Sequence, residues 1–277
     1  MMKRLLFFDI DGTLAIPGQT PSKETVNAIR SARTNGHKAF LCTGRTEGAV
    51  PSKVQEIGFD GGIYSAGGRV VVEGRTILDQ TMPHNIAQMI LSAMQKENLL
   101  FTLEYSNRNY QSSLESLSAA TFDMSKGNSE LQRILLSSKQ TPMSQYHNEP
   151  VYKISFLAEL QEQIDRMAQM LDNTVKVVSF ENLIPDIPFI AGEVSDKNIH
   201  KGQALRRVCK YFGIPSEMSV AFGDSMNDAE MLLDAGIGIE MGNSSEQVKA
   251  LADQVCESCA DNGVAATLFR LGLAGPV

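Results

Sequence analysis

Apolar and polar positions along this chain follow two rhythms, and the way they combine changes twice. Over roughly the first eighty residues, short buried-strand runs alternate with helical ones. Leu5–Phe8 reads as a strand, Ser22–Asn35 as a helix capped by Ser22, His37–Cys42 as a second strand and Glu47–Ile57 as a second helix. Ile63–Tyr64 and Val70–Val72 follow as short strands. A βαβαβ order of this kind implies a parallel sheet covered by helices on both faces.

From about Thr81 the rhythm is different. Asn85–Asn98 is helical, with Ile86, Met89, Ile90 and Ala93 on one face. Leu100–Tyr105 and Asn109–Ser113 read as strands joined in a hairpin. Glu130–Ser137 is a helix, Val151–Leu157 a strand, Leu160–Leu171 a helix, and Val175–Phe180 and Phe189–Val194 two further strands. Helices lying between paired strands mark an α+β unit. After Ser195 the first rhythm returns, with helix His200–Phe212, strand Ser219–Phe222, helix Asp228–Ala235, strand Ile237–Glu240 and helix Ser245–Ala250. The expected architecture is an α/β domain, residues 1–81 and 196–277, interrupted by an inserted α+β domain at 82–195. Insertion at a surface loop is structurally tolerated.

Four polar stretches interrupt the α/β part at equivalent places, after strands or at the start of a helix leading back into the sheet. They are Asp9-Ile10-Asp11-Gly12-Thr13, Thr43-Gly44-Arg45, Lys201-Gly202 and Gly223-Asp224-Ser225-Met226-Asn227-Asp228. Ligands of open α/β sheets bind at the carboxyl ends of the strands, so the four can converge on one pocket. Asp9 and Asp11 stand two apart behind an apolar run; on extended chain they point the same way, and two like charges there require something positive nearby. Read alone, the stretch also fits a turn at Asp11-Gly12 with Asp9 as a cap.

Composition narrows the classes. The chain is 43% hydrophobic and 21% charged, with no Trp and no low-complexity tract, which fits a folded globular protein. A net charge of −7 without a Lys/Arg cluster argues against a nucleic-acid surface. Lys3, Arg4 and Leu5–Phe8 mimic the start of a signal peptide, but Asp9 ends the run, and no stretch approaches a membrane span. A cytoplasmic location is expected. The cysteines at 42, 209, 256 and 259 do not form a disulfide pattern, and the Cys256/Cys259 spacing reads as incidental. Met89, Met94, Met167 and Met170 fit helix faces as core filling, His200 reads as a solvated helix-start residue, and Asn243-Ser244-Ser245 matches a glycosylation acceptor without an export signal.

The sequence resembles the haloacid-dehalogenase-like (HAD) superfamily and, within it, the Cof-type phosphatases of subfamily IIB, which carry a large α/β cap. The resemblance rests on DIDGTL, CTGR, an insertion, HKGQAL, AFGDSMNDAEML and Glu240-Met241-Gly242-Asn243, in that order, across nearly the whole chain. It implies a Rossmann-like core and a Mg²⁺-dependent phosphatase of small phosphomonoesters, sugar phosphates or phosphorylated cofactors, working through an aspartyl-phosphate. Asp9 would be the nucleophile and Asp11 the acid and base, with Mg²⁺ and Lys201 making their closeness tolerable. Mg²⁺ would be held by Asp9, Asp224 and the main-chain carbonyl of Asp11, with Asp228 as ligand or orienter. Thr43 and Gly44 would hold phosphate oxygens, Lys201 would pair with phosphate and Asp9, and Asn227 would reach the phosphate or position Lys201. Arg45 reads equally as a salt bridge at the domain edge and as a substrate contact, and Asp224 and Asp228 also fit a capped helix start. Many Cof-type relatives have Asn-Gly-Ala where this chain has Ser65-Ala66-Gly67-Gly68, so Ala66 stands in place of the usual Asn. A phosphomutase and a non-catalytic sensor of a phosphorylated metabolite are the rival readings. Specificity is expected in the inserted domain, above all in residues 181–188; oligomeric state is not legible.

Overall fold

The computed structural model describes residues 3–106, 108–112, 140–180 and 189–275. The helix expected at 130–137 and the segment 181–188 lie outside the described residues. In chain order the strands are β1 (Leu5–Phe8), β2 (Lys38–Cys42), β3 (Gly61–Tyr64), β4 (Arg69–Val72), β5 (Arg75–Asp79), β6 (Leu100–Glu104), β7 (Asn109–Gln111), β8 (Gln140–Pro142), β9 (Lys153–Ala158), β10 (Val175–Phe180), β11 (Ile190–Asp196), β12 (Ser219–Gly223), β13 (Ile237–Glu240) and β14 (Gln254–Val255). They form two sheets, in the order β14-β13-β12-β1-β2-β3-β4-β5 and β10-β11-β9-β6-β7-β8. The chain divides into two compact units, 1–79 with 199–277, and 80–198.

In the first unit β1 lies at the centre, parallel to β12 and β2, with β13 beyond β12 and β3 beyond β2 also parallel. Every residue of Leu5–Phe8 is buried, because the two faces of the strand serve two cores. Leu6 and Phe8 pack with the helices Lys23–Thr34 and Gly263–Arg270; Leu5 and Phe7 pack with Lys201–Phe212 and Ala229–Asp234. A central strand of a sheet covered on both faces therefore reads as a continuous apolar run. The helix Lys23–Thr34 begins where Ser22 Oγ accepts from the Thr25 N–H at 3.1 Å.

The sheet is not parallel throughout. β3, β4 and β5 run antiparallel at its edge, and the β4–β5 turn places Glu73 and Gly74 at φ 49° and 77°. Two successive left-handed residues make the tight hairpin turn whose twist suits the flanking strands. β5 escapes sequence reading because its residues are exposed or half-buried and lack an apolar period. The single helix expected over Glu47–Ile57 is instead a 3₁₀ turn, Glu47–Ala49, and a short helix, Ser52–Gln55. Val50 precedes Pro51, whose ring disfavours helical geometry at the residue before it, and Val50 is extended at ψ 125°.

The second unit is α+β. β10, β11, β9, β6 and β7 pair antiparallel in sequence across the sheet, and β8 joins β7 in parallel. The helices His84–Lys96 and Gln161–Met170 pack on it through a core that contains Met94 and Met167, with Met89 and Met170 at its margin. The chain enters this unit at Gln80 and leaves it after Asn198, slightly outside the expected limits at 82 and 195. Within it Met82 bridges Val151, and β11 extends to Asp196, opposite Val175.

Candidate active site

Asp9 lies just beyond β1, its N–H donating to the Phe222 carbonyl of β12 at 3.0 Å. Its side chain is buried and receives the Lys201 ammonium at 2.7 Å. Lys201 is the first residue of the helix Lys201–Phe212 and is itself wholly buried. The same ammonium donates to Asp228 Oδ1 at 2.6 Å and to Asn227 Oδ1 at 3.1 Å. Burial works against the charge on Lys201, but Asp228 and Asp9 outweigh it and hold its proton well above the usual lysine range.

The carboxylates pay the opposite cost. Burial is the main cause that pushes Asp9 up to about 7; Lys201 pulls it down, while Asp228 and Asp11 push it further up. Asp224 is also held well above the usual carboxylate range, by burial first and then by Asp9 and Asp228. Oxygens of Asp9, Asp224 and Asp228 lie within 4.8 Å of one another. Glu240, buried at the end of β13, is pushed up to about 8, chiefly by burial. One lysine against this set leaves an excess of negative charge. The donors are hard oxygens grouped tightly enough to share one ion, so the residues fit a divalent cation of the magnesium type.

Asp228 does not cap its own helix. Its Oδ2 accepts from the Asp224 and Ser225 N–H groups at 3.1 and 3.2 Å, while Oδ1 takes Lys201. One side chain thus folds the loop that carries Asp224 and aligns the lysine, which the capped-start reading does not describe. Asn227 accepts from Lys201 and from Ser225 Oγ. Gly12, at φ 85°, has a steric reason to lack a side chain: a Cβ there would collide with the Asp224 carboxylate. Thr13 Oγ1 donates to Asp224 Oδ1 at 3.3 Å.

The two opening carboxylates have separate cations. Asp11 faces Arg45, whose Nε and Nη2 donate to Oδ2 and Oδ1, each at 2.7 Å. Lys201 pairs with Asp9, and Arg45 pairs with Asp11. Thr43 is buried, its hydroxyl accepting from the Arg45 N–H at 3.1 Å, and half-buried Gly44 lies in the turn between them.

Behind this turn, Ser65 and Ala66 both adopt left-handed φ, 52° and 55°. Their N–H groups donate to the carbonyls of Arg45 at 2.8 Å and Thr43 at 3.0 Å. An Ala there has a side chain in a region that disfavours one. Ala66→Gly is expected to raise stability by about 1 kcal/mol, the strain relieved exceeding the entropy added to the unfolded chain. Urea unfolding at constant m-value tests this, and a lower midpoint would show that the Cβ contributes packing worth more than the strain.

Two residues were misjudged or overlooked in the sequence. His200 is half-buried, not solvated; its Nδ1 accepts from the Gln203 N–H at 3.3 Å and caps the lysine helix. Asn243 donates to the Gly12 carbonyl at 3.0 Å and accepts from the Cys259 N–H at 2.8 Å, tying the loop after β13 to the first motif. Its place inside the Glu240–Asn243 stretch was the available signal. The cysteines are free thiols, with Cys42, Cys209 and Cys256 buried.

Residues 6–268 match the family model of haloacid dehalogenase-like hydrolases. This chain belongs to that family. Phosphatase YwpJ of Bacillus subtilis is 31% identical, over 97% of this chain and 99% of its own length. The HMP-PP phosphatase of Yersinia pseudotuberculosis is 26% identical, over 95% and 93% of the two chains. Among solved structures, a HAD subclass IIB sugar phosphatase superposes with a TM-score of 0.80 at 23% identity, covering 98% of this chain and all of the other. The fold is accordingly a HAD core with an inserted α+β cap domain, and the protein is an enzyme, a phosphoric monoester hydrolase. No helix among the described residues is long and apolar enough to cross a membrane.

Proposed function

We propose that this HAD hydrolase is a Mg²⁺-dependent phosphatase of small phosphomonoesters, sugar phosphates or phosphorylated cofactors, acting through an aspartyl-phosphate on Asp9. The observation that carries the reading is the buried Lys201 ammonium set 2.7 Å from Asp9 and 2.6 Å from Asp228, with Asp224 in the same carboxylate cluster. A lone structural ion pair would not need Asp224 and Asp228 packed around it, since each added buried carboxylate costs free energy. Attack on a phosphate dianion does need that arrangement, because nucleophile and target repel.

In the first step Asp9 attacks phosphorus in line, and Asp11 gives its proton to the departing alcohol oxygen. In the second, Asp11, now a carboxylate, takes a proton from water, and the hydroxide displaces Asp9 and releases inorganic phosphate. Lys201 pairs with Asp9 and with a phosphoryl oxygen, while Thr43 and the backbone at Gly44 hold the remaining oxygens. Asp9, Asp224, the Asp11 main-chain carbonyl and, as ligand or orienter, Asp228 would hold the metal. Bound there, Mg²⁺ supplies a positive centre for the phosphoryl charge. The inserted domain would select the alcohol, and the protein would work in the cytoplasm.

The test is turnover of a panel of phosphorylated metabolites and of p-nitrophenyl phosphate, with Mg²⁺ and after chelation. Phosphate release that needs Mg²⁺ is expected, with one class of metabolite preferred. Equal rates after chelation would overturn the metal requirement. Transfer of phosphate to a second site of the substrate, without release, would favour a mutase.

A further inference from the structure

The Arg45–Asp11 pair is left unexplained by the roles above. Both arms of the guanidinium fork engage both oxygens of the carboxylate. The remaining nitrogen, Nη1, donates to the Ala49 carbonyl at 3.3 Å. The arginine backbone is held as firmly, its N–H on Thr43 Oγ1 and its carbonyl under the strained Ser65 N–H. As an ion pair for stability this is poorly placed: the side chains are 36% and 37% exposed, and such a pair contributes about 0–1 kcal/mol. What a two-armed pair supplies is direction, because a planar fork fixes both the distance and the plane of the carboxylate it meets.

We propose that Arg45 is a positioning residue for Asp11, setting the carboxyl group so that its proton reaches the departing oxygen and later returns from water, without itself holding substrate. This rests on the acid–base reading of Asp11. The strained Ser65–Ala66 turn then acquires a purpose, since it braces the backbone of Thr43 and Arg45 together. Phosphate-holding hydroxyl and aiming guanidinium share one rigid turn.

The chemistry gives a readout that a structural role would not move. Proton donation by Asp11 matters most when the leaving oxygen is basic and least when it departs readily as an anion. With Mg²⁺ present, kcat/KM is measured for a series of substituted phenyl phosphates whose phenols span a wide range of acidity. Arg45→Met is expected to lower kcat/KM for the poorest leaving groups by about 10- to 100-fold, and for the best by less than about threefold. The inhibition constant of inorganic phosphate should be unchanged. Arg45→Lys, with one donor in place of a fork, should fall between, and added guanidinium ion should restore part of the loss in Arg45→Met.

A uniform loss across the series, or weaker phosphate binding, would overturn the proposal and make Arg45 a structural or substrate-holding residue. Asp11→Asn, run on the same series, separates this from a failure beneath it. If Asp11→Asn is steeply selective against poor leaving groups while Arg45→Met is not, only the role of Arg45 falls. If Asp11→Asn is itself unselective, the acid role of Asp11 falls and the role of Arg45 with it.

Discussion

Asp9→Asn is expected to abolish phosphatase turnover, a fall of about 10⁴-fold or more, while making the metal-free protein more stable above neutral pH. An amide is nearly the same shape and still accepts from Lys201, but it does not attack phosphorus. The stability gain follows from the sign of the shift. Asp9 titrates near 7 in the folded protein against 3.8 as an ordinary aspartate, so the fold disfavours its charge. That contribution is fully favourable below about pH 4 and is lost as pH rises through 7. Asparagine never ionises, so its advantage should grow across this window, to something of order 1–4 kcal/mol at pH 8 in chelator. Thermal unfolding at pH 5 and pH 8, alongside phosphate release, measures both effects. Wild-type turnover in a folded Asp9→Asn protein would remove Asp9 from the nucleophile's role.

Lys201→Met should act in the opposite direction on stability and the same direction on activity. Methionine has nearly the length of the lysine stem and no charge, so Asp9, Asp224 and Asp228 lose the one ammonium set among them in the described residues. Breaking a buried pair from one side costs about 3–5 kcal/mol when the remaining charge is left uncompensated. Asp9 can escape part of that cost by taking up a proton, and does so more completely at low pH. The deficit against wild type should therefore be smaller at pH 5 than at pH 8 when metal is absent. Turnover should fall by about 10²- to 10³-fold, the usual worth of one preorganised charge facing a developing one. An unchanged melting temperature at pH 8 would mean that Lys201 does not carry the compensation its three contacts imply.

The central strands and the cluster of side chains at their ends are legible in the sequence because a few strong physical demands produce them. Leu5–Phe8 must be buried on both faces, and Asp9, Lys201 and Asp224 stand where strands end or a helix starts, which is enough to bring these three side chains close. What resisted reading were features decided by local geometry. Pro51 breaks a helix that the apolar spacing alone would continue. The Glu73-Gly74 turn creates β5 from residues with no apolar period. The pairing of Arg45 with Asp11 joins two motifs far apart in sequence, and spacing within either one is silent about it. Asp228 could be placed in the site, but its hold on the Asp224 and Ser225 N–H groups depends on a loop path that composition does not specify.

The chain returns from the inserted unit at Ile199 and reaches Lys201 at once. Such a short lead would transmit any tug from the insertion straight to the ammonium. Gly67 stands against this: at φ 113° it lies flush on the His200 backbone, where a Cβ would come within 2.6 Å of the carbonyl oxygen. The His200 ring accepts from the first turn of the helix through the Gln203 N–H. Together they work as a strain relief works on a cable, anchoring the line just before the terminal, beside the ammonium that pairs with Asp9.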